Sequence, residues 1–453
     1  MRISFLFCLL LSAMHTRSQP PIPDPWPLSV IRNVNVLPMD RDTVLRNQDV
    51  WVRNGIIEKI TGAEKKGSRK DAREINGTGK FLMPGLAEMH AHVPPVDNLA
   101  PMKEVLTLFA VNGITTIRGM LGHPLHLELR TKIRTGEIPG PRLITSGPSL
   151  NGNSVKTPED GPRIVEAQKE AGYDFLKLHP GLTPETFAPI VARAKELKMP
   201  FAGHVSFKVG VQRAIDAGYA TIDHMDGFME YLVPGMESVS EQEAGPFALY
   251  VGDRADLSRI PSLVEALLAR QIWVVPTQSI YEKWFSPAPA EDFISRPEMV
   301  YMSPQTRAAW VNSKKNVISQ PQFNKEKVIR YMENRRVLLK ALYDGGVGIL
   351  LGSDAPQVFD VPGFSAHDEL VYYVLAGLTP YQALRTGTVH AGLFLKDDRM
   401  GTIRPGSYAD LVLLSANPLE SINNTRKIEG VMLQGRWMDQ SHIAQTLKSL
   451  EKK

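Results

Sequence analysis

Cysteine is all but missing from this chain of 453 residues: the single one, Cys8, lies in the first dozen positions. Such a chain builds no disulfide framework, and any metal bound beyond that point must rest on nitrogen and oxygen ligands. No run of five or six basic residues occurs, and the formal charge of +4 is spread along the chain. Without basic blocks or aromatic-basic interleaving, a nucleic-acid partner is not expected. Apolar runs long enough to span a bilayer are also lacking. The apolar run Ile3 to Ala13 follows Met1-Arg2 and precedes polar, Pro-rich sequence, which reads as an export signal cut between Ala13 and Gln19. Phe7 before Cys8 is too bulky for a lipoprotein-type processing site. The expectation is a signal over 1–19, an exported protein (periplasmic or secreted) and no membrane span after signal removal. Disorder is not expected as the main state, since 43% of residues are apolar and 22% charged.

After the Pro-rich segment, Leu28 to Phe81 alternates short Val/Ile/Leu runs with turn signals, including Asn54-Gly55 and Asn76-Gly77, which mark tight hairpin turns. From Phe81 the pattern changes to repeated strand-then-helix units. Eight strands are predicted: Phe81–His92, Ile114–Met120, Arg142–Pro148, Asp174–His179, Phe201–Val205, Thr221–Met225, Ile272–Gln278 and Gly348–Asp354. Eight such units predict an α/β fold, a (β/α)8 TIM barrel over 81–395. Thr183-Pro184-Glu185 opens one intervening helix with a cap and a first-turn proline. Two connections, Gly227 to Leu257 and Tyr281 to Asn324, are longer than a barrel needs and are expected to act as lids or specificity elements. Helical patterns at Phe364–Gly377 and Thr379–Leu395 follow. The chain then returns to strands around Ala409–Leu414 and Gly430–Trp437. These are expected to pair with the N-terminal strands, so that 28–80 and 396–440 form a composite β-sandwich companion domain.

In such a barrel the reacting groups sit at the C-terminal ends of strands. His90 and His92, two apart in an extended strand, aim both imidazoles at one point. Lys177 and His179 share a face on the fourth strand, and His204, His224 and Asp354 end the fifth, sixth and eighth. Each histidine alone could be a satisfied core residue. Lys177 is harder to dismiss, because Leu176-Lys177-Leu178 buries a lysine that is almost never buried without a partner. Together they predict a divalent metal centre, since zinc takes imidazole nitrogen and carboxylate oxygen at roughly 2.0–2.2 Å. A desolvated, neutral lysine can take up carbon dioxide as a carbamate whose two oxygens bridge two ions. A water shared between them deprotonates near neutral pH. Asp354 would then act as general base, accepting the proton and passing it to the leaving nitrogen.

On these residues the chain resembles the amidohydrolase superfamily, within it the imidazolonepropionase-like and prolidase-like branch. The motifs are Gly85-x-x-x-x-His90-x-His92, Lys177, His204, His224 and Asp354, with His367, Gly377-Leu378-Thr379-Pro380, Gly401-x-Ile403-x-Pro405-Gly406, Ala409-Asp410-Leu411-Val412 and Asn417-Pro418-Leu419 in the tail. The likeness runs from about Leu28 to Trp437. It implies that His90, His92, Lys177 and Asp354 hold the more buried ion, and Lys177, His204 and His224 the more exposed one, most simply two Zn2+. It also implies a peptidase-like arrangement rather than the single-metal one of the family's deaminases. Glu88 departs from the pattern, since many relatives carry Asp there.

The reading that results is a metal-dependent, dipeptidase-like amidohydrolase that cleaves the amide bond of a small-molecule or peptide substrate: a dipeptide, an Xaa-Pro-like peptide or an N-acyl amino acid. Arg118, His179 and Tyr231 are candidates to grip a substrate carboxylate or polarise the scissile carbonyl. The alternatives are hydrolysis of a cyclic amide or lactone, a single-metal deaminase, a non-catalytic scaffold relative, or a solute-binding protein. A carboxylate clamp beside the metals favours dipeptides; an apolar slot rimmed by Trp284 and Phe285 favours cyclic or aromatic ligands. Homo-oligomerisation is left open by the sequence.

Overall fold

In the computed structural model, residues 20–63 and 71–452 are described; the export signal expected over 1–19 lies outside them. The chain begins with β1 (Leu28–Val36), β2 (Leu45–Arg53) and β3 (Ile56–Gly62), paired antiparallel in sequence. Asn54 and Gly55 have φ of 49° and 75°, the left-handed values that a two-residue hairpin needs and that these residue types tolerate. The second Asn-Gly pair behaves differently. β4 (Arg73–Asn76) and β5 (Phe81–Pro84) both run parallel to β1, one beyond the other, so Asn76-Gly77 makes a jog along one edge and not the expected hairpin. Gly77 donates to the Arg32 carbonyl at 2.8 Å, and a Cβ there would come within 2.5 Å of Val34.

The predicted strand Phe81–His92 is two strands. β5 stays with β1, whereas β6 (Leu86–Ala91) pairs parallel with β7 (Ile114–Gly119). The chain changes sheets at Gly85, whose position would place a Cβ 2.3 Å from the Thr115 side chain. A glycine is what lets the chain pass this close to Thr115 as it changes sheets.

β7 pairs parallel with β8 (Arg142–Thr145). A second parallel set follows in sequence order: β9 (Leu176–Leu178), β10 (Phe201–Gly203), β11 (Thr221–Asp223) and β12 (Trp273–Val275). Parallel bridges Ser146–Phe175 and Leu150–Leu178 join β8 to β9. The segment 348–354 makes one parallel bridge to β12, Val274–Ile349, and bonds to β6 through Met89 N–Leu351 O (2.7 Å) and Asp354 N–His90 O (2.9 Å). Helices separate these strands, among them Pro184–Glu196, whose start is capped by the Thr183 hydroxyl. Their buried faces join one large apolar core containing Ile117, Leu176, Ile222 and Val274.

The chain's end returns to its beginning. β13 (Leu411–Leu414) pairs antiparallel with β5, and β14 (Ile428–Leu433) and β15 (Arg436–Asp439) extend the same sheet to eight strands. The hydrogen bonding makes this one mixed sheet. Its core combines Ile31, Val36, Val50 and Leu82 from one end of the chain with Ile403, Leu411, Leu413 and Met432 from the other. A final helix, Gln440–Leu450, which sequence reasoning did not foresee, packs Ile443 against Ala110, Val111 and Val431.

One further expectation changes. Thr379–Leu395 is two helices, Pro380–Thr386 and Val389–Leu395, broken at Gly387; its carbonyl accepts from Ala87 N at 2.7 Å. The long connection after β12 carries the helix Pro304–Ile318, and its Phe293 and Trp310 share a small core with Phe359, which follows the 348–354 segment. Among the described residues no helix is long and apolar enough to cross a membrane.

Candidate active site

His90 and His92 leave the end of β6 on the same face, their ring centroids 5.5 Å apart. Asp354 arrives from the 348–354 segment with φ of 68°, and its Oδ1 lies 3.1 Å from His90 Nε2 and 2.5 Å from His92 Nε2. Lys177 on β9 is fully buried, with Nζ 3.3 Å from His90 Nε2. The His224 ring sits 4.5 Å from that of His90 and stacks on His204 at 4.2 Å. His90, His224 and Asp354 each offer a ligand atom within 4.8 Å of the others. The structure therefore brings together all six residues singled out as ligands.

Two of the imidazoles are braced from behind. His204 Nδ1 lies 2.7 Å from Asp226 Oδ2, and His224 Nδ1 lies 2.8 Å from Thr277 Oγ1. A proton on each Nδ1 leaves Nε2 with a free lone pair, the tautomer a ligand needs. His90 Nδ1 is 3.1 Å from Asp223 Oδ2. His224 itself has φ of 64°, a costly value for a residue with a Cβ. Its backbone carbonyl is held by two donors, Tyr281 Oη at 3.0 Å and Arg335 Nη2 at 3.1 Å. Arg335 comes from the helix Lys325–Asp344 and stacks its guanidinium 3.3 Å from the Tyr281 ring centroid. Beneath Asp354, the Glu88 carboxylate accepts from Ser353 N, so the longer acid at this position reaches the turn that presents Asp354.

Of the three expected substrate contacts, His179 stays beside the cluster, its ring 4.9 Å from that of His204. Burial, then the nearby Lys177 and His204, pull its pKa down to about 2. The other two are placed elsewhere. Arg118 is buried and spends its guanidinium on Met89 O (2.7 Å), Thr221 Oγ1 (3.0 Å) and Asp223 Oδ1 (3.3 Å). A buried cation needs a fixed counter-charge, and Asp223 is it, so Arg118 supports the floor of the site. Tyr231 turns its hydroxyl to Ser262 at 2.9 Å, with Arg259 over its ring. Asp223, Asp226, Thr277, Tyr281 and Arg335 were missed. Thr221-x-Asp223-His224-x-Asp226 carried a signal for the two acids, flanking a strand-end histidine; nothing local marked Arg335, which lies 111 positions from the residue it holds.

The electrostatics test whether these groups fit a metal. Burial lowers the pKa of His92, His204 and His224, so these rings are neutral at pH 7. Burial alone would raise Asp354, but His90 and His92 outweigh it and hold the carboxyl well below the usual range. Burial also pulls Lys177 below the usual ammonium range. His224 Nε2 is buried with no hydrogen-bond partner. Lone pairs of neutral imidazoles and a carboxylate facing one another at these distances repel unless a proton or a metal ion lies between them. The donor set fits divalent metal.

The family pattern described as the Amidohydrolase family matches residues 81–438. The chain belongs to the amidohydrolase family. It is a hydrolase of carbon–nitrogen bonds, and the metal-ready cluster lies inside the matched span. Ochratoxinase of Aspergillus niger is 22% identical to this amidohydrolase over 447 aligned positions, covering 83% of this chain and 79% of the relative. Among solved structures, bottromycin amidohydrolase superposes with a TM-score of 0.69 at 20% identity, over 93% of this chain and 90% of that one. A Bifidobacterium longum structure assigned as a prolidase gives 0.64 at 23% identity, over 94% and 100%. At these identities the likeness establishes a shared fold.

Proposed function

We propose that this amidohydrolase cleaves the amide bond of a small substrate, a dipeptide, an Xaa-Pro-like peptide or an N-acyl amino acid, using two divalent ions, most simply Zn2+. The observation that carries the reading is the convergence of His90, His92, Lys177, His204, His224 and Asp354 at the ends of parallel strands. The eight parallel segments are read as a (β/α)8 barrel over 81–395. The mixed sheet of 28–80 and 396–440 is its companion domain, and residues 1–19 are an export signal that places the enzyme outside the cytoplasm.

His90, His92, Lys177 and Asp354 would hold the deeper ion, and Lys177, His204 and His224 the outer one. Bound ions supply a deprotonated water at neutral pH and polarise the scissile carbonyl. The rest belongs to the chain. Among the described residues Lys177 has no carboxylate within hydrogen-bond distance, the nearest being Asp223 Oδ2 at 3.9 Å, and its buried amine is suited to accept carbon dioxide. Asp354 Oδ1 points into the cluster from a backbone fixed by His90 O and by Glu88 through Ser353 N. It is placed to take the nucleophile's proton and return it to the leaving nitrogen. Asp226 and Thr277 hold the His204 and His224 rings through the cycle, and His179 is placed to donate to the substrate oxygen.

Metal analysis of the purified chain, with Lys177→Ala alongside, tests this. Close to two ions per chain, a clear loss in the variant, and turnover of dipeptides or N-acyl amino acids are expected. One ion unaffected by the substitution would move the reading to a single-metal deaminase or cyclic-substrate enzyme. No ion after reconstitution would sink it.

A further inference from the structure

A cavity of about 450 Å³ lies at the C-terminal ends of β9, β10 and β11. Pro180, Val205 and Asp226, which line it, follow His179, His204 and His224 by one or two positions, so the cavity begins where the histidine cluster ends. Phe207, Phe247 and Tyr250 add three rings to its wall, each half-buried and so with part of its surface still open. Phe247 faces the cluster as well, its ring centroid 6.2 Å from that of His204 and 6.0 Å from that of His224. Tyr281 and Phe285 meet this ring edge-on at 5.2 and 5.9 Å. Phe285, expected to rim a slot, is thus buried behind the ring that lines the cavity.

The backbone is strained to put Phe247 there. Phe247 and Ala248 both have left-handed φ, 54° and 58°, costly for residues with a Cβ and most often met where a site requires it. Tyr331, from the helix Lys325–Asp344, donates its hydroxyl to Phe247 O at 2.9 Å. Gly245 lets the Tyr250 ring close on the same turn, since a Cβ there would meet that ring at 2.4 Å. The polar part of the lining lies elsewhere. Glu241, Gln242, Gln320 and Gln322 are exposed to solvent. Asp226 Oδ2 is taken by His204 Nδ1 and Val205 N, and the unpaired oxygens Asp226 Oδ1 and Glu230 Oε2 are themselves buried, with no surface in the cavity. No lysine or arginine is among the described residues that line it.

We infer that Phe247 is a specificity-determining residue that, with Phe207 and Tyr250, seats an aromatic ring of the substrate beside the amide to be cleaved. The inference rests on the proposed amide hydrolysis and narrows its substrate class. An acidic group meets three carboxylates with no counter-charge. A cation does not reach the two unpaired oxygens, and a small aliphatic group leaves the rings facing water. A ring placed among three others buries apolar area and gains edge-to-face contacts. The volume is that of an ordinary small-molecule pocket. Among the substrates considered, peptides and N-acyl amino acids that carry a phenyl, phenol or indole group fit this wall.

Calorimetric titration of the metal-loaded chain with 3-phenylpropan-1-ol and propan-1-ol, neither of which has an amide to cleave, tests the ring site by itself. The phenyl probe should bind at least about tenfold more tightly, and the ratio should fall at least about threefold in Phe247→Ala. Phe207→Ala, half-buried and outside the strained turn, replaces it should Phe247→Ala fail to fold by its thermal midpoint, and it should shift the ratio in the same direction. A wild-type ratio below about tenfold, or a ratio unchanged in a folded variant, would overturn the inference. Hydrolysis assays separate the two ideas. At least one of Phe-Ala and Ala-Phe should exceed Ala-Ala in kcat/KM by about tenfold or more and lose that preference in Phe247→Ala. Phenyl-selective binding without turnover of any amide would leave the ring site standing and remove the amide-hydrolase reading. Turnover of Ala-Ala as fast as of both phenyl dipeptides, with the two alcohols bound alike, would do the reverse.

Discussion

Replacing Arg335 with methionine should weaken metal binding, although its guanidinium bonds the backbone of His224 and not the ring. The guanidinium donates to His224 O at 3.1 Å, Pro276 O at 3.3 Å and Gln278 Oε1 at 3.3 Å, all in a fully buried setting. Methionine keeps much of the volume, so the main loss is polar. Pro276 O loses this donor, at about 1–3 kcal/mol for a buried acceptor left unpaired. His224 O keeps Tyr281 Oη but loses its second donor, about 1 kcal/mol more. That sum is comparable to the roughly 1–3 kcal/mol that a left-handed φ costs a residue with a Cβ. His224 is then free to relax from φ of 64°, which turns Nε2 away from the cluster. Loss of a group that orients a ligand typically lowers metal affinity about 10- to 100-fold, and that range is expected here. Competition with a chelator of known affinity, read beside the thermal midpoint of the metal-free chain, separates site from scaffold. A lowered midpoint with wild-type metal affinity would refute the reasoning and make Arg335 a packing residue only. Tyr281→Phe, which removes the other donor and keeps the ring, should weaken binding in the same direction by less.

Three further outcomes follow from the geometry. Asp354→Asn should lower kcat by about 10²- to 10⁴-fold while the chain stays folded, checked by steady-state kinetics and circular dichroism; retention of wild-type kcat would remove Asp354 as the proton carrier. His367 is buried between Thr425 Oγ1 (3.0 Å) and Asn112 O (3.1 Å), and burial takes its pKa down to about 3. The folded pKa lies below the unfolded one, so the unfolded state binds more protons and stability falls as pH drops from about 6.5 towards 3, by about 1.4 kcal/mol per pH unit. Urea unfolding of wild type and His367→Gln from pH 7.5 to 5 should show the wild type losing more; parallel curves would contradict this. Gly85→Ala should destabilise the fold by about 1–3 kcal/mol, because its Cβ would meet Thr115 at 2.3 Å, and Thr115→Ala in the same chain should recover part of it. Additive losses in the double variant would mean that the two positions do not touch.

What the sequence determined by itself was local and periodic. The side chains of an extended strand repeat every two residues, so His90-x-His92 had to point together once β6 formed, and Leu176-Lys177-Leu178 had to bury a lysine. Alternation of strand and helix patterns located every parallel segment from β6 onward, and the returning strands at 409–437 announced their pairing with the first ones. The expected ligands met because each stood at the end of its strand, a place that the pattern itself defines. Tertiary structure decided whatever depends on partners far away in sequence. Gly85 splits one apolar run between two sheets because β5 finds β13 and β6 finds β7, and hydropathy does not encode partners. Arg118 looked like a substrate grip and is a buried counter-ion to Asp223, 105 positions on; Tyr231 turns away to Ser262. The acids and the arginine that hold the histidines, and the ring-walled cavity beside them, exist only where chain segments remote from one another close around one point. Strand ends specify where reacting groups stand, and packing between elements specifies their orientation, their charge state and what lies beside them.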